Sequence, residues 1–295
     1  MSDGLLPFER SFQGWMEKQG MRWVEGRLTT CRGGRPGRSY CLHPSTTPQR
    51  AVVALHGAGN DALFGWVGLF KELLRGGTLV YTFDLPGHGR GGDSRLDVDL
   101  VREAIAGAVS EAARLIGKRP VHAVGVSLGG SLLLDSLPSI GKRLTSAALV
   151  VAPSRIHLSP QTVLPEISPR SFALLWRERE HYGLGGLFPS FGPFKREVYP
   201  LRLGSPPGPG MFGYVDAINA MIEGLDLENA AARTRLPVLL AYGESDRVVP
   251  IRQGETFSAA LPNASLLRVR GGTHLSTPLS AEFRRALPAW MQKWE

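Results

Sequence analysis

The sequence predicts an α/β fold with a doubly wound, mostly parallel sheet and an inserted helical cap. Six short apolar runs end in turn residues, and stretches with apolar residues at helical spacing separate most of them. Strands that are buried on both faces have this near-continuous apolar pattern. Their alternation with helices is typical of a sheet connected by right-handed crossovers. A long segment without a strand pattern interrupts the alternation and predicts the cap.

The first predicted element is an antiparallel hairpin, Gly26–Thr30 with Ser39–Leu42, around a turn rich in Gly and Arg. The predicted buried strands are Ala51–His56, Thr78–Phe83, Pro120–Val126, Ala147–Ala152, Pro237–Tyr242 and Ser265–Val269. The predicted helices are Leu100–Ile116, Leu128–Leu137, Gly254–Leu261 and a final amphipathic helix that carries Trp290 and Trp294. We therefore expect residues 1–152 and 236–295 to form one α/β core.

Residues 153–235 contain no convincing strand pattern and predict the helical cap. Two amphipathic stretches, Ser171–Tyr182 and Tyr214–Gly224, flank a part rich in Gly and Pro. The segment is rich in aromatic residues, including Trp176, and is too apolar for an exposed linker. Ligands of open α/β sheets bind at the carboxyl ends of the strands, where such an insertion would lie. The alternative is a surface excursion with its own small core.

The composition is that of a globular protein and excludes a disordered, collagen-like or coiled-coil chain. Hydrophobic residues make up 43% of the 295 residues, and 34 Lys and Arg against 26 Asp and Glu give a formal charge of +8. Such a charge can indicate nucleic acid or a membrane surface. The basic residues are scattered, however, and the densest group, Arg32, Arg35 and Arg38, has no interleaved aromatic residues. We therefore expect a solvated surface and no nucleic-acid partner.

The start of the chain and its cysteines predict a cytoplasmic protein. Glu9 and Arg10 interrupt the apolar start before the hydrophobic region of a signal peptide develops. No apolar run approaches the roughly 20 residues that a membrane span needs. Cys31 and Cys41 flank the predicted hairpin turn, and without a secretory signal we expect two reduced thiols.

The stretch Gly125-Val126-Ser127-Leu128-Gly129-Gly130 carries the strongest chemical signal. It follows a strand pattern and opens a helical one. In that context G-x-S-x-G describes a nucleophile elbow, a strained turn that exposes the serine hydroxyl. A Cβ atom at Gly125 or Gly129 would crowd the approach of strand and helix. The alternative is an ordinary strand–helix turn with a serine N-cap.

A serine nucleophile needs a base, and the base needs an acid that orients it. His274 lies on a loop after the last predicted strand, at the carboxyl edge where Ser127 also lies. Asp246 lies on the loop after strand Pro237–Tyr242 and is the candidate acid. Glu244 is its rival, but it is closer to the strand end and is expected to face away or to cap the loop. The alternatives are an Asx-turn aspartate and a loop histidine bonded to backbone.

Acyl transfer also needs backbone donors where the oxyanion develops. The small residues of the segment 56–60 directly follow the first predicted strand and let a ligand approach the backbone. We expect the N–H groups of Ala58 and Leu128 to form the oxyanion hole. We expect Gly57 and Trp176 to contact the substrate, although aromatic residues of this kind more often pack between helices.

With these motifs the chain resembles the α/β-hydrolases, and within them the capped serine hydrolases of the esterase or lipase type. The motifs are His56-Gly57-Ala58-Gly59, Asp84-Leu85-Pro86-Gly87-His88-Gly89, Gly125–Gly130, Gly243–Pro250 and Gly271–His274. Ser…Asp…His is the chain order of that family. The resemblance implies a nucleophile, an acid and a base in that order, with two backbone oxyanion donors: Ser127, Asp246, His274, Ala58 and Leu128.

Two positions depart from the commonest pattern of the family. Ala58 replaces the bulky residue that often follows His-Gly, which leaves more room near the acyl group. Thr273 lies between the glycine pair and His274. Neither departure affects the three residues assigned to catalysis.

The predicted activity is hydrolysis of a small, apolar carboxylic ester through an acyl-enzyme, without a cofactor. No H-x-x-x-H or C-x-x-C pair provides a metal site, and no Walker A sequence provides a nucleotide site. Dehalogenases and epoxide hydrolases of the family carry Asp where this chain has Ser127. Carbon–carbon bond hydrolases, thioesterases and acyltransferases resemble the same pattern and are alternatives. A non-catalytic ligand-binding receptor is the alternative from a different class.

Overall fold

The computed structural model describes residues 7–28, 37–63, 65–86, 88, 96–169, 173 and 210–295. These residues form an eight-stranded sheet with the order β1-β2-β4-β3-β5-β6-β7-β8. The strands are β1 Arg22–Leu28, β2 Gly37–His43, β3 Arg50–Leu55, β4 Thr78–Phe83, β5 Val121–Val126, β6 Ser146–Val150, β7 Val238–Gly243 and β8 Ala264–Val269. Strands β3 to β8 are mutually parallel, whereas β1 and β2 pair antiparallel with their neighbours. The predicted doubly wound, mostly parallel sheet is confirmed.

The helices of the described residues lie before, between and after the strands. They are α1 Pro7–Lys18, α2 Val67–Arg75, α3 Val98–Ile116, α4 Leu128–Ile140, α5 Pro160–Val163, α6 Gly210–Glu223, α7 Leu227–Arg233, α8 Ile251–Ala260 and α9 Ala281–Lys293. Two short 3₁₀ helices, Gly141–Arg143 and Leu164–Ile167, join them. None of the helices in the described ranges combines the length and the hydropathy needed to cross a bilayer.

Two separate hydrophobic clusters cover the two faces of the sheet. Along β3, Val53 and Leu55 point into one cluster with α3 and α4, whereas Val52 and Ala54 point into the other with α1, α2 and α9. Successive side chains of a strand alternate between faces, so a strand covered on both sides must be apolar at every position. All six residues of β3 are buried, and the five that follow Arg50 form an unbroken apolar run.

Element boundaries differ from the predictions where local geometry intervenes. The strand predicted at Ala147–Ala152 ends at Val150, because Val151 has a φ of 44°, which breaks the extended backbone. The helix predicted at Leu128–Leu137 continues to Ile140, so Pro138 lies inside it and removes one N–H donor without ending the helix. Helices α1 and α2 were not predicted from the sequence.

The hairpin and the inserted segment (residues 153–235) are described in part. Strands β1 and β2 pair from Arg22 opposite His43 to Leu28 opposite Gly37, and the turn between them lies outside the described residues. Cys41 is a buried free thiol, whereas Cys31 lies outside the described residues. The described part of the inserted segment contains helices and no strand. Of the predicted amphipathic stretch Ser171–Tyr182, all residues except 173 lie outside the described residues. The assignment of residues 153–235 to a cap domain stays a prediction.

Replacement of Gly129 by Ala tests the close contact of α4 with the sheet. A Cβ atom there would overlap the carbonyl oxygen of His56 and lie 2.7 Å from that of Leu55. We expect Gly129→Ala to lower the free energy of unfolding by about 1–3 kcal/mol or more, because overpacking must displace backbone. Gly141→Ala is the matched control, since Gly141 has a helical φ of −55° and no atom within 4 Å of its Cβ position. Urea unfolding that gave equal midpoints for both variants would contradict the close contact.

Candidate active site

Ser127 occupies the turn between β5 and α4, at the carboxyl edge of the sheet. Its φ of 50° and ψ of −124° place a non-glycine residue in a left-handed conformation, which costs of the order of 1–3 kcal/mol. Its N–H donates a hydrogen bond of 2.8 Å to the carbonyl of Val150. This contact extends the parallel ladder to the turn and holds the strained residue in place.

Three glycines around the turn allow α4 to approach the sheet. A Cβ atom at Gly125 would lie 2.7 Å from the carbonyl carbon of Gly129, and one at Gly130 would lie 2.7 Å from Cβ of Ala152. The backbone of Gly129 cannot move out of the way as the end of a flexible side chain can. The glycines that the sequence analysis singled out therefore have the predicted steric reason.

The structure brings Ser127, His274 and Asp246 together from three different loops. Nε2 of His274 lies 3.0 Å from Oγ of Ser127, and Nδ1 lies 3.0 Å from Oδ2 of Asp246. An ionised carboxylate only accepts hydrogen bonds, so Nδ1 carries the ring proton of the neutral imidazole. Nε2 is then the acceptor for the serine hydroxyl. The Asp246 side chain is fully buried, whereas that of His274 is 15% exposed.

Backbone donors hold the carboxylate of Asp246 in its orientation. Oδ1 accepts hydrogen bonds of 2.9 Å and 2.8 Å from the N–H groups of Val248 and Val249. The residue is therefore an Asx-turn aspartate and a partner of His274 at once, so the two interpretations of Asp246 are compatible. Glu244, the rival acid, is exposed, as expected.

Opposing effects act on the proton affinity of His274. Burial disfavours the imidazolium and lowers the pKa. The negative charge of Asp246, its hydrogen bond to the ring and the charge of Glu166 act in the opposite direction and prevail. The pKa of His274 is thus raised above its ordinary value of 6.5.

The segment predicted to hold an oxyanion lies against Ser127. A Cβ atom at Gly57 would lie 3.2 Å from Cβ of Ser127, and Ala58 is the next residue, half-buried against the core. Leu128 is the first residue of α4, and first-turn N–H groups have no carbonyl partner within their helix. The helix terminus also adds positive dipole character. Gly57, Ala58 and Leu128 are thus neighbours of the serine, and their roles stay predictions.

His56 braces this segment against the loop after β4. Its Nε2 accepts a hydrogen bond of 2.9 Å from the N–H of Leu85, so Nδ1 carries the proton and donates to the carbonyl of Gly57 at 2.8 Å. Oδ1 of Asp84 accepts from the N–H of Ala62 at 2.9 Å and joins the same two loops. The ring of His88 packs edge-on against that of His56, and burial together with His56 lowers the pKa of His88 to about 3.

Glu166, in the inserted segment, also contacts the site and was not predicted from the sequence. Its buried carboxylate accepts hydrogen bonds from the hydroxyl of Thr273 and from the N–H groups of His274 and Leu275, at 2.7, 2.7 and 3.0 Å. The partners lie 107 to 109 residues away along the chain. The one available signal was the unusual Thr273 before the histidine, whose hydroxyl binds this carboxylate.

Two further predictions concern ligands. Trp176, predicted to contact the substrate, lies outside the described residues. Within the described ranges, no group of three or more His, Cys, Asp or Glu side chains could hold a metal ion.

The chain is similar in sequence to a known protein family and to individual proteins. Residues 52–286 match the model of the alpha/beta hydrolase family. The chain is 27% identical over 239 residues to a pimeloyl-[acyl-carrier protein] methyl ester esterase of Chromobacterium violaceum, which covers 76% of this chain and 86% of that protein. It is 25% identical over 235 residues to a 2-hydroxy-6-oxononadienedioate/2-hydroxy-6-oxononatrienedioate hydrolase of Pseudomonas putida, at coverages of 73% and 78%.

A solved structure shares the fold. A thermophilic esterase from Thermogutta terrifontis superposes with a TM-score of 0.60 at 19% identity, over 92% of this chain and 98% of that chain. At this identity the likeness concerns the fold alone.

Titration of His274 by NMR tests the electrostatics of the site. We expect its imidazole to titrate above pH 6.5 and the titration to move to lower pH in Asp246→Asn, because the imidazolium loses its nearest negative charge. Glu244→Gln removes an exposed carboxylate from the same loop and is the matched control. His274→Gln identifies the resonance. An equal shift in Asp246→Asn and Glu244→Gln would contradict the assigned pair.

Proposed function

The chain belongs to the alpha/beta hydrolase family, and we propose that it is a serine hydrolase that cleaves carboxylic esters through an acyl-enzyme. One observation carries the proposal: the ring of His274 lies 3.0 Å from Ser127 Oγ on one side and 3.0 Å from Asp246 Oδ2 on the other. A hydroxyl, an imidazole and a buried carboxylate in this order have the geometry of nucleophilic acyl transfer.

In the first half of the proposed reaction, Ser127 is acylated. Its Oγ attacks the ester carbonyl while Nε2 of His274 takes the hydroxyl proton. The carbonyl oxygen becomes an oxyanion, which the N–H groups of Ala58 and Leu128 would bind. When the tetrahedral intermediate collapses, the imidazolium gives its proton to the leaving alcohol, and the acyl group stays on the serine.

In the second half, water releases the acid. His274 takes a proton from the attacking water. When the second tetrahedral intermediate collapses and releases the acid, the imidazolium returns that proton to Oγ of Ser127. Asp246 keeps the proton of the neutral ring on Nδ1 and stabilises the imidazolium in both halves. Because Val248 and Val249 hold the other carboxylate oxygen, the acid keeps its orientation while the ring changes charge.

We further propose that the inserted segment forms a cap next to this site. The N–H of His157 donates a hydrogen bond of 2.8 Å to the carbonyl of Val248, in the loop that carries Asp246. Glu166 binds the loop that carries His274. Both contacts support a position of the segment at the carboxyl edge of the sheet, where a cap would shield the acyl-enzyme from solvent.

The names of the two relatives suggest two kinds of bond that the proposed site could cleave. One relative is named as a methyl ester esterase, which favours an ester substrate. The other is named as a hydrolase of a 2-hydroxy-6-oxo dienedioate, a compound without an ester bond, so that its hydrolysis breaks a carbon–carbon bond. The same residues can serve both reactions, since a fold and its catalytic group define a reaction class and not a substrate.

Hydrolysis of p-nitrophenyl esters of increasing acyl length tests the proposed activity. We expect Ser127→Ala to lower kcat by about 10⁴- to 10⁶-fold, because the nucleophile is lost while oxyanion binding persists. Asp246→Asn should cost about 10⁴-fold, because the ring then adopts the wrong tautomer. Ser139→Ala on helix α4 is the matched control with unchanged rate, because the Ser139 hydroxyl donates to the carbonyl of Ser136 at 2.8 Å within the helix.

Two outcomes would contradict ester hydrolysis. If a serine-directed fluorophosphonate labels the wild-type chain but not Ser127→Ala, and no ester is hydrolysed, the site is active on another bond. Carbon–carbon hydrolysis, thioester hydrolysis or acyl transfer would then replace the proposal. If the wild-type chain is not labelled and hydrolyses no ester, a binding protein on the same fold replaces the proposal.

A further inference from the structure

Glu166 is a buried carboxylate outside the three residues to which we assign the reaction. It lies in the 3₁₀ helix Leu164–Ile167 of the inserted segment and is 7% exposed. Oε1 accepts from the N–H of His274 at 2.7 Å, whereas Oε2 accepts from the N–H of Leu275 at 3.0 Å and from the hydroxyl of Thr273 at 2.7 Å. One carboxylate thus binds three consecutive residues centred on the proposed base.

These contacts act on the backbone from which the imidazole projects. The side chain of His274 has only two rotatable bonds, so the position of its Cα and the orientation of its Cα–Cβ bond decide where Nε2 lies. Hydrogen bonds to an ionised acceptor are shorter and stronger than neutral ones. Displacement of a reacting group by about 1 Å can cost about 10²-fold in rate.

Other bonds hold this loop to the core and shape it locally: the N–H of Ser245 donates to the carbonyl of Gly272 at 2.9 Å. Thr273 donates its N–H to the Ser276 hydroxyl at 2.8 Å and accepts at its carbonyl from the Thr277 hydroxyl at 2.7 Å. These bonds shape the turn locally and do not anchor it to the inserted segment. The three bonds to Glu166 make that connection.

Building on the function proposed above, we propose that Glu166 is a positioning residue: its carboxylate clamps residues 273–275 and so holds the imidazole of His274 between Ser127 and Asp246. Thr273, the unusual residue before the histidine, serves as one of the three donors to this clamp. The inserted segment thereby takes part in orienting the base as well as flanking the site. A base whose geometry depends on this segment is correctly placed only when the segment is docked.

The charge of Glu166 supports the same role. His274 faces two carboxylates, Asp246 from the loop after β7 and Glu166 from the inserted segment, and the neutral hydroxyl of Ser127. Both negative charges raise the pKa of the ring against the effect of burial. The carboxylate that binds the backbone of residues 273–275 therefore also acts on the charge of the ring.

The test compares Glu166→Gln with the wild-type chain over a range of pH. Gln keeps the shape of the side chain but loses the charge and replaces one acceptor by an N–H₂ donor. We expect kcat/KM on the plateau above the His274 pKa to fall about 10- to 100-fold. We also expect the acidic limb to move to lower pH, because the imidazolium loses a stabilising charge and the base is neutral sooner. Ser127→Ala supplies the background rate.

Glu223→Gln is the matched control in the same segment. Glu223 pairs with Arg155 at 2.7 Å, and both side chains are more than half exposed. The variant removes the same charge from the solvent-exposed side of the segment, so we expect both the plateau and the acidic limb to stay at wild-type values. Equal profiles of Glu166→Gln and Glu223→Gln would overturn the positioning role while leaving ester hydrolysis intact.

A second pair of variants and an activity-free readout cover the remaining outcomes. Thr273→Val removes one donor to the clamp and should lower kcat/KM less than Glu166→Gln does. Thr273→Ser keeps the hydroxyl and should have the wild-type kcat/KM.

NMR titration of His274 should show a lowered pKa in Glu166→Gln even if the wild-type chain hydrolyses no ester. That result would separate failure of the proposed activity from failure of the clamp. If Glu166→Gln does not fold, wild-type rates in Thr273→Val overturn the inference.

Discussion

The approach of helix α4 to strand β5 is the steric constraint on which the site depends. Glycines at 125 and 129 let backbone pass backbone at a distance that no Cβ atom could occupy. The turn between them is too tight for an ordinary φ, so Ser127 is left-handed at 50°. That conformation places its hydroxyl at the carboxyl edge of the sheet, beside the first N–H groups of α4. The cost of the strain is met by the helix and strand packing on either side.

Parallel pairing of the strands brings further loops to the edge of the sheet where Ser127 lies. The carboxyl ends of β3, β5, β7 and β8 lie at one edge, so the loops that carry Gly57, Ser127, Asp246 and His274 meet there. Hydrogen bonds between loops then set the distances. His56 joins the loops after β3 and β4, and the N–H of Ser245 binds the carbonyl of Gly272 at 2.9 Å between the loops after β7 and β8.

The sequence predicted what depends on short-range pattern and missed what depends on distant contacts. Strands β3 to β7 are buried on both faces and have continuous apolar runs, so they could be located within one or two residues. Strand β8 lies at the edge of the sheet with only Val269 of its residues buried, so its position was predicted but its burial on both faces was wrong. Chain order and strand ends were enough to select Ser127, Asp246 and His274. In the structure the His274 ring lies 3.0 Å from Oγ of Ser127 and 3.0 Å from Oδ2 of Asp246. Helix α2 covers nine residues with an amphipathic pattern and was nevertheless not predicted. Glu166 carries no local signal, because its partners lie more than 100 residues away.

The two carboxylates around His274 resolve a conflict between burial and basicity. A buried imidazole resists protonation, and a base that cannot hold a proton cannot take one from a serine. A single ion pair with Asp246 offsets burial and fixes the tautomer, but it acts only at Nδ1. Glu166 adds a second negative charge and binds the backbone N–H of the same residue, without competing for a ring nitrogen. Nε2 is therefore left to Ser127, and the same contact that favours the imidazolium also fixes where it forms.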